Sequence, residues 1–316
     1  MIAAIDIGGT KVDAGWFAAG ELVERKTYQS REWPTFLPLL RDFLQSKKPD
    51  AIAIGVAGPV VGHQAKVTNL PWEVDAAEVA DAFGCRCLLM NDLQAHAHGL
   101  TSVADNDCTL VQGGQPGDGA RGLIAAGTGL GKCLIYNVAG AWEPMPSEGS
   151  HTDFAPADGD DVGLWHFLRD RYGGHVSWER VVSGKDGFAN LLDYFGREHK
   201  DAELVHEARK SGDVGRVVNQ FASDGDELAL KVMRRFAKYY GAAAGNLALT
   251  GLTTGGMFLS GGVTTHIKSY LVEPGFREAF CDKGRFQKLL REIPIIIVED
   301  DMLALRGLPN AADGKP

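Results

Sequence analysis

The apolar positions of the chain fall into two rhythms. MIAAID and VDAGWF are short apolar runs separated by a glycine pair, and ELVERKTY alternates apolar with charged residues, so the opening predicts three strands in succession. FLPLLRDFLQS changes the period, with Leu39, Leu40, Phe43 and Leu44 recurring at helical spacing. AIAIGVAG then predicts a buried strand. In DAAEVADAFG, Asp75 stands at an N-cap position, Val79, Ala80 and Phe83 share one face, and Gly84 marks the stop. CRCLLMND predicts a central strand ending in Asn91 and Asp92. Three meandering strands followed by helix, strand, helix and strand make an α/β order whose last connections are parallel.

The second half repeats the opening. GLIAAGTGLGKCLIYNVAGAWEPM again reads as strand, glycine turn, strand, small-residue turn and strand; Gly8 to Gly20 spans 12 positions and Gly127 to Gly140 spans 13. This is the mark of an internal duplication. GDELALKVMRRFAKYYGAAAGNLALTG predicts a long helix whose stretch from Gly241 to Gly245 lets another element or a ligand approach closely. It leads into GGMFLSGGV, a short apolar strand bracketed by glycine pairs, and the tail after Pro309 is polar, which predicts fraying.

Composition narrows the class. With 316 residues, 45% of them apolar, the chain can build one large domain or two ordinary ones. A balance of 32 basic against 41 acidic side chains, net -9, argues against a nucleic-acid surface. No apolar run approaches the ~18 residues of a membrane span and no export signal opens the chain, so the expectation is a cytoplasmic protein with no membrane partner. Five cysteines without paired CxxC spacing fit free thiols in a reducing compartment. Glycine is the outlier: 40 residues is nearly twice the background of about 7%.

The chemistry concentrates in those glycines. DIGGTK and GTGLG are turns whose backbone N–H groups can converge on phosphate oxygens, with no side chains to hold an anion off. A third glycine pair stands at Gly261 and Gly262. Asp6 is read as a carboxylate on the metal side of such a site, holding Mg²⁺ through water. Neither turn is a Walker A loop, and GTGLGK leads into a strand, which excludes a Rossmann fingerprint.

In order, DIGGTK, LLMNDLQAHAHGL, AAGTGLGKCLIYN, PSEGSHTDFAP, SWERVVSG and GGMFLSGGV resemble the motif set of bacterial glucokinases, members of the actin-like, hexokinase-type sugar kinase superfamily. The resemblance runs on through GFREAFCDKGRF and IPIIIVED, so it covers nearly the whole chain. It implies two ribonuclease-H-like lobes of the actin-like ATPase fold, with ATP and glucose in the cleft between them, and transfer of the γ-phosphoryl group to the sugar 6-hydroxyl. The expected division is 1–101 plus 297–316 as a small domain and 102–296 as a large one. A homodimer is also implied.

By the same resemblance Asn91, Asp92, Glu148, His151 and Glu179 bind the sugar. A hexose presents hydroxyls that both donate and accept, so a selective site needs carboxylates, an amide and an imidazole. Asp92 is the expected catalytic base, taking the proton of the attacking hydroxyl. Asp6, Gly8, Gly9, Thr10, Lys11, Gly127, Thr128, Gly129, Gly261 and Gly262 are assigned to Mg-ATP, the two threonines to its phosphates and the last glycine pair to its adenosine. Lys11 and Ser150 depart from the usual glucokinase pattern. Lys11 resembles the related ROK-type sugar kinases, but no cysteine lies between His151 and Glu179, where those kinases carry a zinc motif. The rival readings are a ROK-like kinase for another hexose or amino sugar, a sugar-responsive regulator without catalysis, and an actin-like ATPase.

Overall fold

The computed structural model describes residues 1–199 and 202–313. Internal packing divides the chain into two units, one of Met1–Asp105, Ala141–Pro146 and the residues from Asp300 onward, the other of Asn106–Gly140 and Ser147–Glu299. The expected split differs from this mainly in leaving Ala141–Pro146 with the large domain.

The first unit opens with β1 (Ile2–Ile7), β2 (Lys11–Ala18), β3 (Glu21–Gln29), α1 (Phe36–Leu44) and β4 (Ala51–Val56). β5 (Val60–Val61), β6 (Gln64–Lys66) and β7 (Glu73–Asp75) form a separate small sheet, and α2 (Ala76–Phe83), β8 (Arg86–Asn91) and α3 (Asp92–Gly99) follow. The main sheet runs β3-β2-β1-β4-β8, with β1 antiparallel to β2 and parallel to β4, and β4 parallel to β8. Its two faces separate cleanly. Ile5, Ile7, Val12 and Trp16 pack with Leu39, Leu40 and Phe43 of α1, whereas Ala4, Phe17, Ala53 and Met90 pack with Ala95 of α3 and with Leu305 and Leu308 further on.

Two expectations are corrected here. β8 is an edge strand, not a central one: among the described residues it pairs with β4 alone, and Cys87, Leu88 and Leu89 are only part-buried. Its apolar run reports burial of faces and carries no information about in-sheet neighbours. Asp92 lies one residue past that strand, as the first residue of α3. The α2 reading holds in detail: Asp75 accepts hydrogen bonds from the amides of Ala77 and Glu78, and Gly84 takes the left-handed conformation that ends the helix.

The second unit contains β9 (Cys108–Gln112), β10 (Arg121–Ala126), β11 (Leu130–Val138) and α4 (Gly159–Tyr172), while β12 (Ala141–Met145), which follows β11 in the chain, is counted with the first unit. Four helices come next: α5 (Gly187–Phe195), α6 (Glu203–Lys210), α7 (Val214–Ser223) and α8 (Glu227–Gly251). β13 (Met257–Ser260) precedes α9 (Gly262–His266), α10 (Lys268–Leu271), α11 (Pro274–Cys281) and α12 (Gln287–Glu292), and β14 (Ile295–Val298) closes the sheet. The sheet order is β12-β11-β10-β13-β14-β9. Its first five strands repeat the third-second-first-fourth-fifth order of the first unit, with β10 antiparallel to β11 and parallel to β13. This is the duplication that the glycine pattern announced.

What the small residues of α8 admit is a helix. A Cβ at Gly241 would stand 2.1 Å from the carbonyl oxygen of Phe276, and one at Gly245 2.3 Å from that of Phe280, so α11 lies directly on them. The frayed tail is the third correction as far as Asp313, the rest of it lying outside the described residues. α13 (Leu303–Asp313) continues through Pro309, because Leu305, Leu308 and Ala312 are buried and the Asn310 amide donates to the carbonyl of His98 and to the hydroxyl of Ser102.

Candidate active site

In the first unit the site starts from the strand period. Asp6 follows Ile5 on β1 and faces the side of the sheet covered by α3. It lies over Gly55 of β4, whose missing Cβ would stand 3.6 Å from Asp6 Oδ1. Asp6 keeps part of its surface accessible, yet desolvation, followed by the charges of Asp92 and Asp13, pushes its carboxyl up to about 7 against the opposing pull of Lys11. Asp92 and Asp6 are therefore near neighbours with like charge.

The turn after β1 is closed by Gly8 N–H donating to Lys11 O at 2.9 Å, and is fastened from outside by Ser30, whose hydroxyl donates to Gly8 O at 3.0 Å. A Cβ at Gly9 would meet the carbonyl oxygen of Thr68 at 3.2 Å. Thr10 is exposed, as a phosphate contact requires. Lys11 reaches Asp13 Oδ2 at 2.7 Å, so its charge is engaged inside the protein. Burial would raise the Asp13 carboxyl, but the hydrogen bonds from Lys11, Thr27 and Arg25 outweigh that and hold it below its ordinary range. Asp13 went unnoticed in the sequence because VDAGWF reads as an ordinary strand; its position opposite Asp6 in the β1–β2 register is the signal.

Asn91 caps α3. Its Oδ1 accepts from Leu93 N–H at 2.9 Å and its amide donates to Gly58 O at 2.9 Å, while Gln94 completes a capping box. One N–H of the amide is left for a ligand. Asp92 is half-buried in the first turn, with Oδ1 also accepting from Leu93 N–H at 2.8 Å. The cap fixes the direction in which that carboxylate leaves the helix.

The second unit gathers the other assigned residues. Gly127, Thr128 and Gly129 turn between β10 and β11, and Gly261 and Gly262 follow β13, the parallel neighbour of β10. Gly261 has φ +97°, and a Cβ there would stand 2.4 Å from Ala126 O, so both glycine sets meet at one end of the sheet. A Cβ at Gly127 would meet nothing within 4 Å, which leaves open space above that turn. Gly184 N–H donates to Gly127 O at 2.8 Å and Lys185 N–H to Thr128 O at 3.1 Å, setting an exposed lysine beside the turn. Lys185 was not singled out from the sequence, since a lone lysine after SG carries no spacing signal.

Glu148 precedes the short turn Gly149–His151 and His151 ends it, with His151 Nε2 3.9 Å from Glu148 Oε2 and both side chains more than half exposed. That segment is stitched to the one carrying Glu179: Trp178 N–H donates to Thr152 O at 3.1 Å, Phe154 N–H to Val176 O at 2.8 Å, and His175 Nε2 to His151 O at 2.7 Å. Glu179 is half-buried, accepts from Leu130 N–H at 3.0 Å, and lies 2.7 Å from where a Cβ of Gly129 would be. Sequence alone favours a solvated acid at this position. Glu148, His151, Glu179 and the Gly127–Gly129 turn are thus held together, and Asp6, Asn91, Asp92 and the Gly8–Lys11 turn are held together in the other unit.

Comparison with known proteins agrees with the motif order. The glucokinase family model matches residues 3–315. A glucokinase of Nostoc punctiforme is 32% identical, with 97% of each chain covered. The crystal structure of a glucokinase from an Antarctic psychrotroph superposes with a TM-score of 0.84 at 28% identity, covering 98% of both chains. A ROK-family glucokinase of Streptomyces griseus, solved with glucose and AMPPNP, shares the fold at a TM-score of 0.65 and 21% identity, covering 99% of this chain and 98% of its own. The two duplicated sheets are those of the actin-like ATPase fold, and the chain belongs to the glucokinase family.

Proposed function

We propose that the protein transfers the γ-phosphoryl group of ATP to the 6-hydroxyl of glucose, giving glucose 6-phosphate and ADP. The observation that carries this reading is the pair of carboxylates in the first unit, the raised Asp6 beside a glycine turn and the helix-capped Asp92 next to it. In this role Asp92 accepts the proton of the 6-hydroxyl as its oxygen attacks the γ-phosphorus and the bond to ADP breaks. Glu148, His151 and the free Oε1 of Glu179 take sugar hydroxyls, and Asn91 adds one donor.

The donor set fits Mg²⁺. Two carboxylates are too few for an all-protein cage but suffice for an ion that keeps several waters and is shared with substrate phosphates, and the burial that raises Asp6, together with the charges of Asp92 and Asp13, is a cost that a cation relieves. Asp6 would hold it through water, and when bound it would neutralise charge developing on the transferred phosphoryl group. The backbone amides of Gly8–Thr10 and Gly127–Gly129 would cradle phosphates, and Gly261 and Gly262 would let adenosine lie on the backbone. A cytoplasmic homodimer completes the proposal; among the described residues no helix is long and apolar enough to cross a membrane.

The test is product identification. Incubated with Mg-ATP and glucose, the protein should form glucose 6-phosphate, detected by a dehydrogenase that oxidises that ester alone. ADP release without this product would leave an ATPase, and neither product would leave a sugar-responsive regulator.

A further inference from the structure

Lys132 closes the GTGLGK run and is its one charged residue, and no role above uses it. It sits on β11 and is only 4% exposed. Its stem runs along the Gly149 backbone, where a Cβ would lie 3.6 Å from Lys132 Cδ, and its Nζ stands 5.6 Å from the centre of the Trp178 ring. Gly149 is flanked by Glu148 and leads to His151; Trp178 is followed by Glu179. The ammonium therefore lies between the two segments assigned to the sugar, within one unit. Among the described residues no carboxylate pairs with it, and burial alone pushes the amine down to about 8.

An ammonium stripped of most of its water with no carboxylate beside it is expensive: it has three donors, no acceptor, and a ring face offsets only part of its lost hydration. Replacing such a charge by an apolar side chain of similar length is commonly neutral or stabilising. A residue that costs stability where nothing in the protein satisfies it is explained when a ligand does. We propose that Lys132 is a further sugar contact, donating charge-assisted hydrogen bonds to hydroxyl oxygens held by Glu148, His151 and Glu179. The inference rests on the sugar site proposed above and adds a donor to a set made mostly of acceptors.

The test compares Lys132→Met and Lys132→Arg with the parent by thermal unfolding without sugar, glucose calorimetry and steady-state rates. Lys132→Met should melt no lower than the parent, yet bind glucose at least ~10-fold more weakly, the loss expected for one charge-assisted hydrogen bond. The loss should appear in KM more than in kcat, and Lys132→Arg should recover part of it. Unchanged glucose affinity in Lys132→Met overturns the proposal. So does a weaker affinity accompanied by a lower melting temperature, because that is the signature of a packing role. If the parent phosphorylates a different hexose, the glucose assignment fails, and the same comparison made with that hexose still decides on Lys132.

Discussion

Asp6 and Asp92 are neighbouring carboxylates in the first unit, and the proposed function gives them different tasks according to their surroundings. Asp92 is held by a helix cap, half-buried, with Oδ1 on the Leu93 amide. Asp92→Asn keeps the size and most hydrogen bonding of the side chain but cannot accept the hydroxyl proton. It should lower kcat by ~10²–10⁴ while glucose affinity by calorimetry stays within a few-fold of the parent; a kcat within about threefold would remove Asp92 from the role of base. Asp6 predicts a pH effect on stability. Its carboxyl titrates at 3.8 ordinarily and at about 7 in the folded protein, so the folded state binds this proton more tightly. Its contribution to stability is therefore complete at acid pH and is lost as pH rises through about 7. Between about pH 5 and pH 8 in the absence of Mg²⁺, the parent's melting temperature should fall relative to that of Asp6→Asn. Parallel pH curves for the two proteins would contradict this. At this scale the sequence disclosed residues that stand in motifs and hid those defined by a neighbour. Asp92 was legible as a candidate in its ND pair, though as a strand end and not as the first residue of α3, whereas Asp13 matters because strand pairing sets it opposite Asp6, and Lys132 because, among the described residues, its amine meets no acid.

The elements carry a second contrast, between two glycines assigned to the same ligand. Gly127 has open space where a Cβ would be, so Gly127→Ala should fold normally and melt within about 1 °C of the parent, a shift under ~1 kcal/mol. Any methyl there intrudes on the phosphates instead, and KM for ATP should rise ~10-fold or more. Gly261 has φ +97° and the Ala126 carbonyl at 2.4 Å from its absent Cβ, so Gly261→Ala strains the backbone and should lower the melting temperature as well as activity. Equal melting losses in the two variants would show that the Gly127 turn is structural. Element boundaries were legible wherever the chain supplies a chemical stop: Asp75 and Gly84 bound α2, and the glycine turns bound β1 and β10. The sheet β5-β6-β7 was not, because strands of two or three residues are too short to show a period. Nor was the edge position of β8, since strand order is settled by packing between elements distant in sequence. The helix through Pro309 escaped for a related reason: a local rule predicted a stop, and burial of Leu305, Leu308 and Ala312 overrode it.

At the scale of the whole molecule, two units repeat one strand order from two stretches that share little beyond the placing of their glycines. Periodicity gave the α/β class and the glycine spacing gave the repeat, but the identity of the substrate came from motif resemblance, because hydroxyl-binding carboxylates have no spacing of their own. The family match over residues 3–315 supports a kinase of glucose; the sugar preference of this chain follows from its own site. In the proposed reading Glu148, His151 and Glu179 are hydroxyl-directed groups, and an N-acetyl substituent would leave some of them unpaired. The decisive measurement is therefore kcat/KM from coupled ADP release, with Mg-ATP, on glucose and on N-acetylglucosamine and N-acetylmannosamine side by side. The account predicts glucose ahead by at least ~10²-fold and approaching ~10⁴-fold. Either N-acetyl sugar outperforming glucose would contradict it and leave a ROK-like amino-sugar kinase in its place.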